Sequence, residues 1–87
     1  MPQIIVTAID DYHFQVTVID STSTTHQVTI TPNYVLKLNA GNITTAQLVE
    51  KSFKFLLERE ANTSILRSFD LSVIVRYFPE YEQIITQ

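Results

Sequence analysis

The chain has 87 residues, 45% of them hydrophobic and 17% charged, and its formal net charge is −3. This balance predicts a single folded domain, residues 1–87, because disorder requires low hydrophobicity together with high net charge. The basic residues are scattered along the chain, which argues against a nucleic-acid-binding surface. The absence of cysteine excludes disulfides, thiolate catalysis and cysteine-ligated metal sites.

The sequence contains neither a recognisable secretory signal nor a membrane-spanning segment. Its first residues lack the basic stretch, apolar run and small-residue cleavage site of a signal peptide. No apolar run approaches the roughly 18 residues that a membrane helix needs. The sequence therefore predicts a cytoplasmic protein that does not act at a membrane.

Residues 1–31 alternate in hydrophobicity with a period of two, which is typical of β-strands. The predicted strands cover about residues 3–9, 12–19 and 25–31. Asp10-Asp11 and the Ser/Thr run at 21–24 supply the turns, so the strands form an antiparallel meander whose even-numbered positions face the core. These core positions are Ile4, Val6, Ala8, Tyr12, Phe14, Val16, Val18, Val28 and Ile30.

The opposite face of this meander is mostly polar. It carries Thr7, His13, Gln15, Thr17, Gln27 and Thr29, as expected for an antiparallel sheet with one face in water. Ile5, Ile9 and Ile19 lie on the same face and interrupt the pattern. They are either ordinary exposed β-forming residues or part of a surface that a partner subunit covers.

The helical part of the chain, residues 32–87, begins with two clear start signals. Thr31 is predicted to cap a short helix from Pro32 to about Leu38, which Gly41 then stops. The spacing of Thr44 and Gln47 matches a capping box and predicts a long helix from Thr45 to about Glu60. Its solvent side carries Glu50, Lys54 and Glu58, and its apolar side carries Leu48, Val49, Phe53, Phe55, Leu56 and Leu57. An apolar arc this wide predicts that the helix lies across the sheet and beneath the C-terminal segment.

The C-terminal segment is predicted to form short helices separated by a proline. Asn62 caps a turn, and Asp70 caps a helix from Leu71 to about Tyr77. Pro79 ends that helix and begins a last one, with Tyr81, Ile84 and Ile85 on one side. The side chains expected between the long helix and the sheet are Phe69, Val73, Ile74, Tyr77 and Phe78. Arg76 is expected to pair with Glu80 or Glu82, or to stack on Tyr77 or Tyr81.

The C-terminal half also carries a family resemblance. The segments FLLERE, ILRSFDL and RYFPEYE, within residues 44–85, and the upstream HQVTITPNYVLKL resemble a group of short bacterial proteins of uncharacterised function. The resemblance covers most of the chain from His26 onward. It implies a β-rich start with this helical ending, and it implies no activity, ligand or catalytic residue.

No catalytic or metal-binding constellation is recognisable. His13 and His26 are the only histidines, and strand parity places them on opposite faces of the sheet, so they do not share an ion. His26 is expected at most to meet Asp20 across the hairpin. No Ser or Thr lies in a nucleophile elbow, and the single glycine excludes a phosphate-binding loop. The sequence predicts a protein that is not an enzyme and uses no metal and no cofactor.

A helix-turn-helix can be drawn over residues 52–77, but its second helix has a core pattern rather than a DNA-reading face. The predicted fold is therefore α+β: a three-stranded antiparallel meander, one long helix and two or three short C-terminal helices. The predicted function is a non-catalytic protein-interaction domain that self-associates as a homodimer, because the strand IIVTAI has little charge to protect its edge. The predicted contact residues are Arg76, Tyr77 and Tyr81, followed by Ile5 and Ile9. The alternative is a small acidic adaptor or an antitoxin-like regulator, with weak DNA binding if a dimer brings Arg67 and Arg76 together.

Overall fold

A computed structural model describes residues 2–38 and 43–86 of the chain. The strands are β1 (Gln3–Ala8), β2 (His13–Ile19), β3 (Thr24–Thr29) and β4 (Ser68–Asp70). The helices are α1 (Pro32–Leu38), α2 (Thr45–Leu57), α3 (Ile74–Tyr77) and α4 (Tyr81–Ile85), with 3₁₀ turns at Asn62–Ser64 and Leu71–Val73. The predicted α+β class is confirmed.

The four strands form one sheet in the order β1-β2-β3-β4. β1, β2 and β3 are antiparallel, with Val6 opposite Val16 and Val16 opposite His26, as the meander predicts. β4 runs parallel to β3 and places Phe69 opposite Val28. The predicted three-stranded sheet is therefore incomplete, because a short segment near the C-terminus adds a fourth strand.

Strand alternation gives the sheet one buried and one exposed face. Of the predicted core positions, Phe14, Val16, Val18, Val28 and Ile30 are each at most 4% exposed. Two predicted core positions are wrong, because Tyr12 is 48% exposed and Ala8 is also exposed. Tyr12 lies in the β1–β2 turn, where its N–H donates to the Asp10 carboxylate at 2.8 Å, and Ala8 is the last residue of an edge strand.

Both predicted helix starts are present. The Thr31 hydroxyl accepts from the Tyr34 N–H at 3.2 Å at the start of α1. The predicted stop at Gly41 lies outside the described residues. At the start of α2, the Thr44 hydroxyl accepts from the Gln47 N–H at 3.1 Å, and the Gln47 side chain accepts from the Thr44 N–H at 2.9 Å. These paired contacts confirm the capping box.

Helix α2 lies on the core face of the sheet, mainly over β1, and also contacts α4. It ends at Leu57 rather than near Glu60, because the N–H groups of Arg59 and Glu60 both bond to the Leu56 carbonyl in a turn. Its buried side chains are Leu48, Val49, Ser52, Phe53, Phe55 and Leu56. On its solvent side Lys54 pairs with Glu50 at 3.3 Å. This placement between sheet and C-terminal helices agrees with the wide apolar arc.

The C-terminal corner follows the predicted order of cap, helix, proline break and helix. The Asp70 carboxylate accepts from the Ser72 N–H at 2.9 Å, and the chain turns through Leu71–Val73 into α3. α3 ends at Tyr77, ahead of Pro79. The order of elements is thus set by local sequence signals, although the burial of individual side chains differs from expectation, as described below.

The β3 edge of the sheet is closed by residues 61–70. β4 pairs with β3, and just before it the Gln27 N–H donates to the Arg67 carbonyl at 2.7 Å. Asn62 does not cap its own turn, because its amide donates instead to the Thr22 carbonyl at 2.6 Å and to the Thr24 hydroxyl at 3.1 Å. The predicted cap at Asn62 is therefore wrong, and its side chain fastens this segment to the β2–β3 turn.

A buried histidine completes this closed edge. His26 is 1% exposed; its Nδ1 lies 2.8 Å from the Leu66 carbonyl oxygen and its Nε2 lies 2.8 Å from the Thr24 hydroxyl. Because a carbonyl only accepts, Nδ1 carries the proton and Nε2 accepts from Thr24. The expected contact of His26 with Asp20 is replaced by these bonds. His13 is exposed on the other face, as strand parity predicts.

Candidate functional site

Tyr81, one of the predicted contact residues, is a core residue. It has no exposed surface, and its hydroxyl lies 2.6 Å from the Ser52 hydroxyl. The Ser52 hydroxyl donates to the Leu48 carbonyl at 2.8 Å, so the Tyr81 hydroxyl donates to Ser52. Burial raises the pKa of Tyr81 well above its usual range, which keeps this donor protonated. Partner contact by Tyr81 is therefore corrected to core packing in α4.

Tyr77 and Arg76 are both at the surface. Tyr77 is 66% exposed, so it does not fill the space between helix and sheet, whereas Ile74 on the same helix is 3% exposed. Within residues 2–38 and 43–86, Arg76 has no ion-pair or ring partner, and its predicted pairing with Glu80 or Glu82 is wrong. Contact of Arg76 and Tyr77 with a partner remains a prediction.

The two acids of the C-terminal corner have other partners. Arg59 pairs with Glu80 at 3.5 Å, and its guanidinium lies 3.7 Å from the centroid of the Phe55 ring. Glu82 accepts from the Tyr34 hydroxyl at 2.8 Å and pairs with Lys37 at 3.4 Å. These contacts connect α4 and the residue before it to α1 and to the end of α2, and they leave Arg76 available.

An apolar groove of about 330 Å³ lies between the end of α2, β4 and α3. We call it the C-terminal groove. Its lining residues are Leu56, Glu60, Ser64, Ile65, Leu66, Phe69, Val73, Ile74, Tyr77 and Phe78. Tyr77 is 66% exposed and Leu66 is 50% exposed, so these side chains lie at the mouth. Sequence spacing did not indicate this groove, because it forms only where α2, β4 and α3 meet.

The second candidate surface is the free edge of β1. The Ile9 N–H donates to the His13 carbonyl at 2.9 Å, which identifies this pair as hydrogen-bonded across the strands. Hydrogen-bonded and non-bonded pairs alternate in an antiparallel ladder, so Thr7, opposite Gln15, bonds to β2 in the same way. The alternate residues of β1 point their backbone N–H and C=O groups away from β2. These residues are Ile4, Val6 and Ala8. No strand pairs with that edge within residues 2–38 and 43–86.

Exposed isoleucines lie next to this free edge. Ile5, Ile9 and Ile19 are 42%, 56% and 39% exposed, as their place on the polar face predicts. Ile5 is opposite Thr17, so Ile19 is its diagonal neighbour on β2. Two of the predicted contact residues, Ile5 and Ile9, are thus available to a partner.

The core side of the same edge is incompletely covered. Ile4 and Val6 are only half-buried, whereas the equivalent residues of β2 are at most 4% exposed. A groove of about 420 Å³ opens there between β1 and α2. Its lining residues are Pro2, Ile4, Glu50, Lys54, Leu57 and Glu58. The β1 edge therefore offers unpaired backbone groups together with uncovered apolar surface on both faces.

Several other site types find no support among the described residues. They contain no group of three or more His, Asp or Glu side chains that could hold a metal ion. No helix within residues 2–38 and 43–86 is long and apolar enough to cross a membrane. The segment drawn as a helix-turn-helix contains β4, and both Leu71 and Ile74 of its second helix are buried in the core. With these side chains in the core, that segment cannot lie along a DNA groove as a recognition helix does.

Comparison with protein-family models, with curated proteins and with solved structures found no match to this chain. The resemblance to short bacterial proteins that end in RYFPEYE therefore stays a prediction.

Proposed function

We propose that this protein is a non-catalytic, cytoplasmic interaction domain that self-associates through β1. In the proposed dimer, two copies of β1 pair antiparallel about a twofold axis, so that the two four-stranded sheets become one. The observation that carries the proposal is the free β1 edge, whose strand QIIVTA contains no charged residue. An uncharged, unpaired edge strand is a template for pairing, and natural proteins protect such strands unless they use them.

The free backbone groups suggest a register centred on Val6. In that register Val6 faces Val6 of the second copy, and Ile4 faces Ala8. Each of these pairs exchanges two N–H to C=O bonds, which gives about six hydrogen bonds across the interface. A twofold dimer of this kind uses the same patch on both copies and leaves no further strand edge of β1 open.

The same register gathers the exposed isoleucines. On the outer face, Ile5 lies opposite Thr7 of the second copy, so its diagonal neighbours there are Ile5 and Ile9. With Ile19 adjacent to Ile5 in each chain, the isolated apolar residues of one copy become a continuous strip in two. Burial of that strip supports association, because removing apolar surface from water contributes roughly 25 cal/mol per Å².

The core face supports the same arrangement. Ile4 and Val6 are half-buried in one copy, and a second β1 at about 4.8 Å covers their open side. In this register the groove beside Ile4 lies next to the Ala8 end of the second β1. Both faces of the edge, and not only its backbone, therefore favour a second copy of this chain.

Light scattering across a concentration series tests this proposal, with Ala8→Pro as the decisive variant. Proline removes the outward N–H at an exposed position and disrupts edge pairing without removing a bond to β2. We expect the wild-type mass to double at micromolar concentration, and Ala8→Pro to weaken the dimer by about tenfold or more, since two interface hydrogen bonds are lost. Ala8→Ser is the matched control, because it keeps the N–H and should keep the dimer.

Thr7→Pro tests the assignment of backbone direction. Its N–H faces β2, so this substitution should unfold or strongly destabilise the domain, whereas Ala8→Pro should retain native circular dichroism. A wild-type protein that stays monomeric at 1 mg/ml or about 100 μM would contradict self-association at the affinity typical of dimers. An unlike partner, as in the adaptor or antitoxin-like alternative, would then have to add the strand to β1.

A further inference from the structure

The C-terminal groove differs from the β1 edge in its chemistry. Its walls come from the end of α2, from Ile65 and Leu66, and from the segment that runs from Phe69 into α3. Eight of its ten lining residues are apolar or aromatic, and none is Lys, Arg or His. The groove therefore favours an apolar occupant and offers no positive charge to an anionic one.

Glu60 is the only charged residue of this lining. Its carboxylate has no hydrogen bond or ion pair to any described residue, although the neighbouring Arg59 pairs with Glu80. Partial burial raises the pKa of Glu60, which means that its charge loses part of its solvation in the folded protein. Glu60 also follows the end of α2, where the helix carbonyl groups carry partial negative charge. A cation beside Glu60 would compensate the carboxylate charge and the partial negative charge at the end of α2.

We propose that the C-terminal groove binds a small molecule with an apolar body and a single cationic head, such as an arylalkyl amine. The apolar body lies against Phe69, Ile74 and Phe78, and the ammonium group pairs with Glu60. The inference is independent of self-association, because none of the β1 edge residues Ile4, Val6 and Ala8 lines the C-terminal groove.

The size of the groove favours a small molecule over a protein segment. Ligand pockets typically measure about 300–1,000 Å³ and combine apolar walls with a few polar groups that fix orientation. A volume of about 330 Å³ lies at the small end of this range. It accommodates roughly one aromatic ring with a short alkyl chain, whereas a helix-binding groove has to extend over several turns. Tyr77 and Leu66 at the mouth are placed to cover the bound ring.

A matched set of three probes tests the proposal: 4-phenylbutylamine, 4-phenylbutanol and 4-phenylbutyrate. They share one apolar body and carry a positive, a neutral and a negative head. Titration into ¹⁵N-labelled protein, followed by amide chemical shifts, measures both affinity and location. We expect the amine to bind about tenfold more tightly than the alcohol, with the acid weakest, because a partly desolvated ion pair contributes more than an exposed one. The largest shifts should fall on residues 60–66 and 69–78.

Two glutamine variants separate the role of Glu60 from general charge. Glu60→Gln should abolish the preference for the amine over the alcohol while leaving alcohol binding intact. Glu58→Gln, which removes a nearby acid that lines the other groove, should leave the preference unchanged. Equal binding of all three probes, shifts centred outside the groove, or no binding at millimolar concentration would overturn the proposal. A peptide that binds here when none of the probes does would overturn it in favour of protein recognition.

Discussion

The two edges of the sheet differ, because the β3 edge is paired and the β1 edge is open among the described residues. At the β3 edge, β4 pairs with the strand, and Asn62, Thr24 and His26 form a connected set of buried bonds that ends on the Leu66 carbonyl. At the β1 edge, the backbone of Ile4, Val6 and Ala8 is unpaired among the described residues. The closed edge uses residues about forty positions away in the chain, and the open edge uses none.

This difference indicates where the fold is complete by itself. A buried polar group that lacks its partner costs about 1–3 kcal/mol, and no buried side-chain nitrogen or oxygen among the described residues is left unpaired. Unpaired polar groups beside apolar surface occur instead at the β1 edge and at Glu60 in the C-terminal groove. At both places an additional molecule would add bonds rather than replace them.

The largest expected contrast is in amide hydrogen exchange at the two edges. The Gln27 N–H, bonded to the Arg67 carbonyl, should exchange at least about a thousandfold more slowly than the Val6 N–H in dilute protein, because unpaired edge amides open at almost no cost. Exchange measured by NMR at several concentrations sharpens the comparison. In the proposed dimer the Val6 amide becomes protected as concentration rises, while the Gln27 amide does not change. Equal and concentration-independent protection of both would contradict the description of β1 as an open edge.

Removal of the buried histidine should give the next largest effect. His26→Ala leaves the Thr24 O–H without its acceptor and the Leu66 carbonyl without its donor, and it creates a cavity beside Phe53. We expect the free energy of unfolding to fall by about 2–4 kcal/mol, measured by urea denaturation. His13→Ala is the control, because His13 is exposed on the opposite face and its removal should change stability far less. A similar loss in both variants would show that burial at the closed edge is not the cause.

The smallest expected effect concerns the unpaired acid. Burial raises the pKa of Glu60 above its ordinary value of 4.5, so its charge destabilises the folded state when the pH exceeds the folded pKa. Glu60→Gln should therefore stabilise the protein at pH 7 by less than about 1 kcal/mol, since the side chain is mostly solvated. The gain should disappear as the pH falls below 4.5, where Glu60 is protonated in both states. Thermal unfolding of both proteins at pH 7 and pH 4 measures this gain in stability. A gain that is larger at pH 4 than at pH 7 would contradict a raised pKa of Glu60.

Local signals predicted a large part of this fold. The period-two pattern identified the meander, and the caps at Thr31, Thr44 and Asp70 located the helix starts. Pro79 correctly separated the last two helices. In each case the deciding contact joins residues close together in the chain, so the sequence contains the information within a short window.

The missed features depend on contacts between distant residues. β4 is only Ser68–Asp70, too short to show periodicity, and it is a strand because β3 lies beside it. Tyr77 and Tyr81 looked equivalent in the sequence, but the break at Pro79 turns one toward solvent and the other into the core. Of the candidate surfaces, the β1 edge was foreseeable from its lack of charge, whereas the C-terminal groove required the packing of α2 against the corner.

The closed edge also has a consequence for the order of folding. The bonds from His26 to Leu66 and from Asn62 to Thr22 span forty residues, whereas the β1–β2–β3 hairpins close over short turns. Contacts of long sequence separation form late, because loop closure has to precede them. A meander that forms before residues 61–70 are in place would have both of its edges exposed. Only the arrival of residues 61–70 removes one of them, so substitutions there should raise aggregation of newly made chains even where the finished protein remains folded.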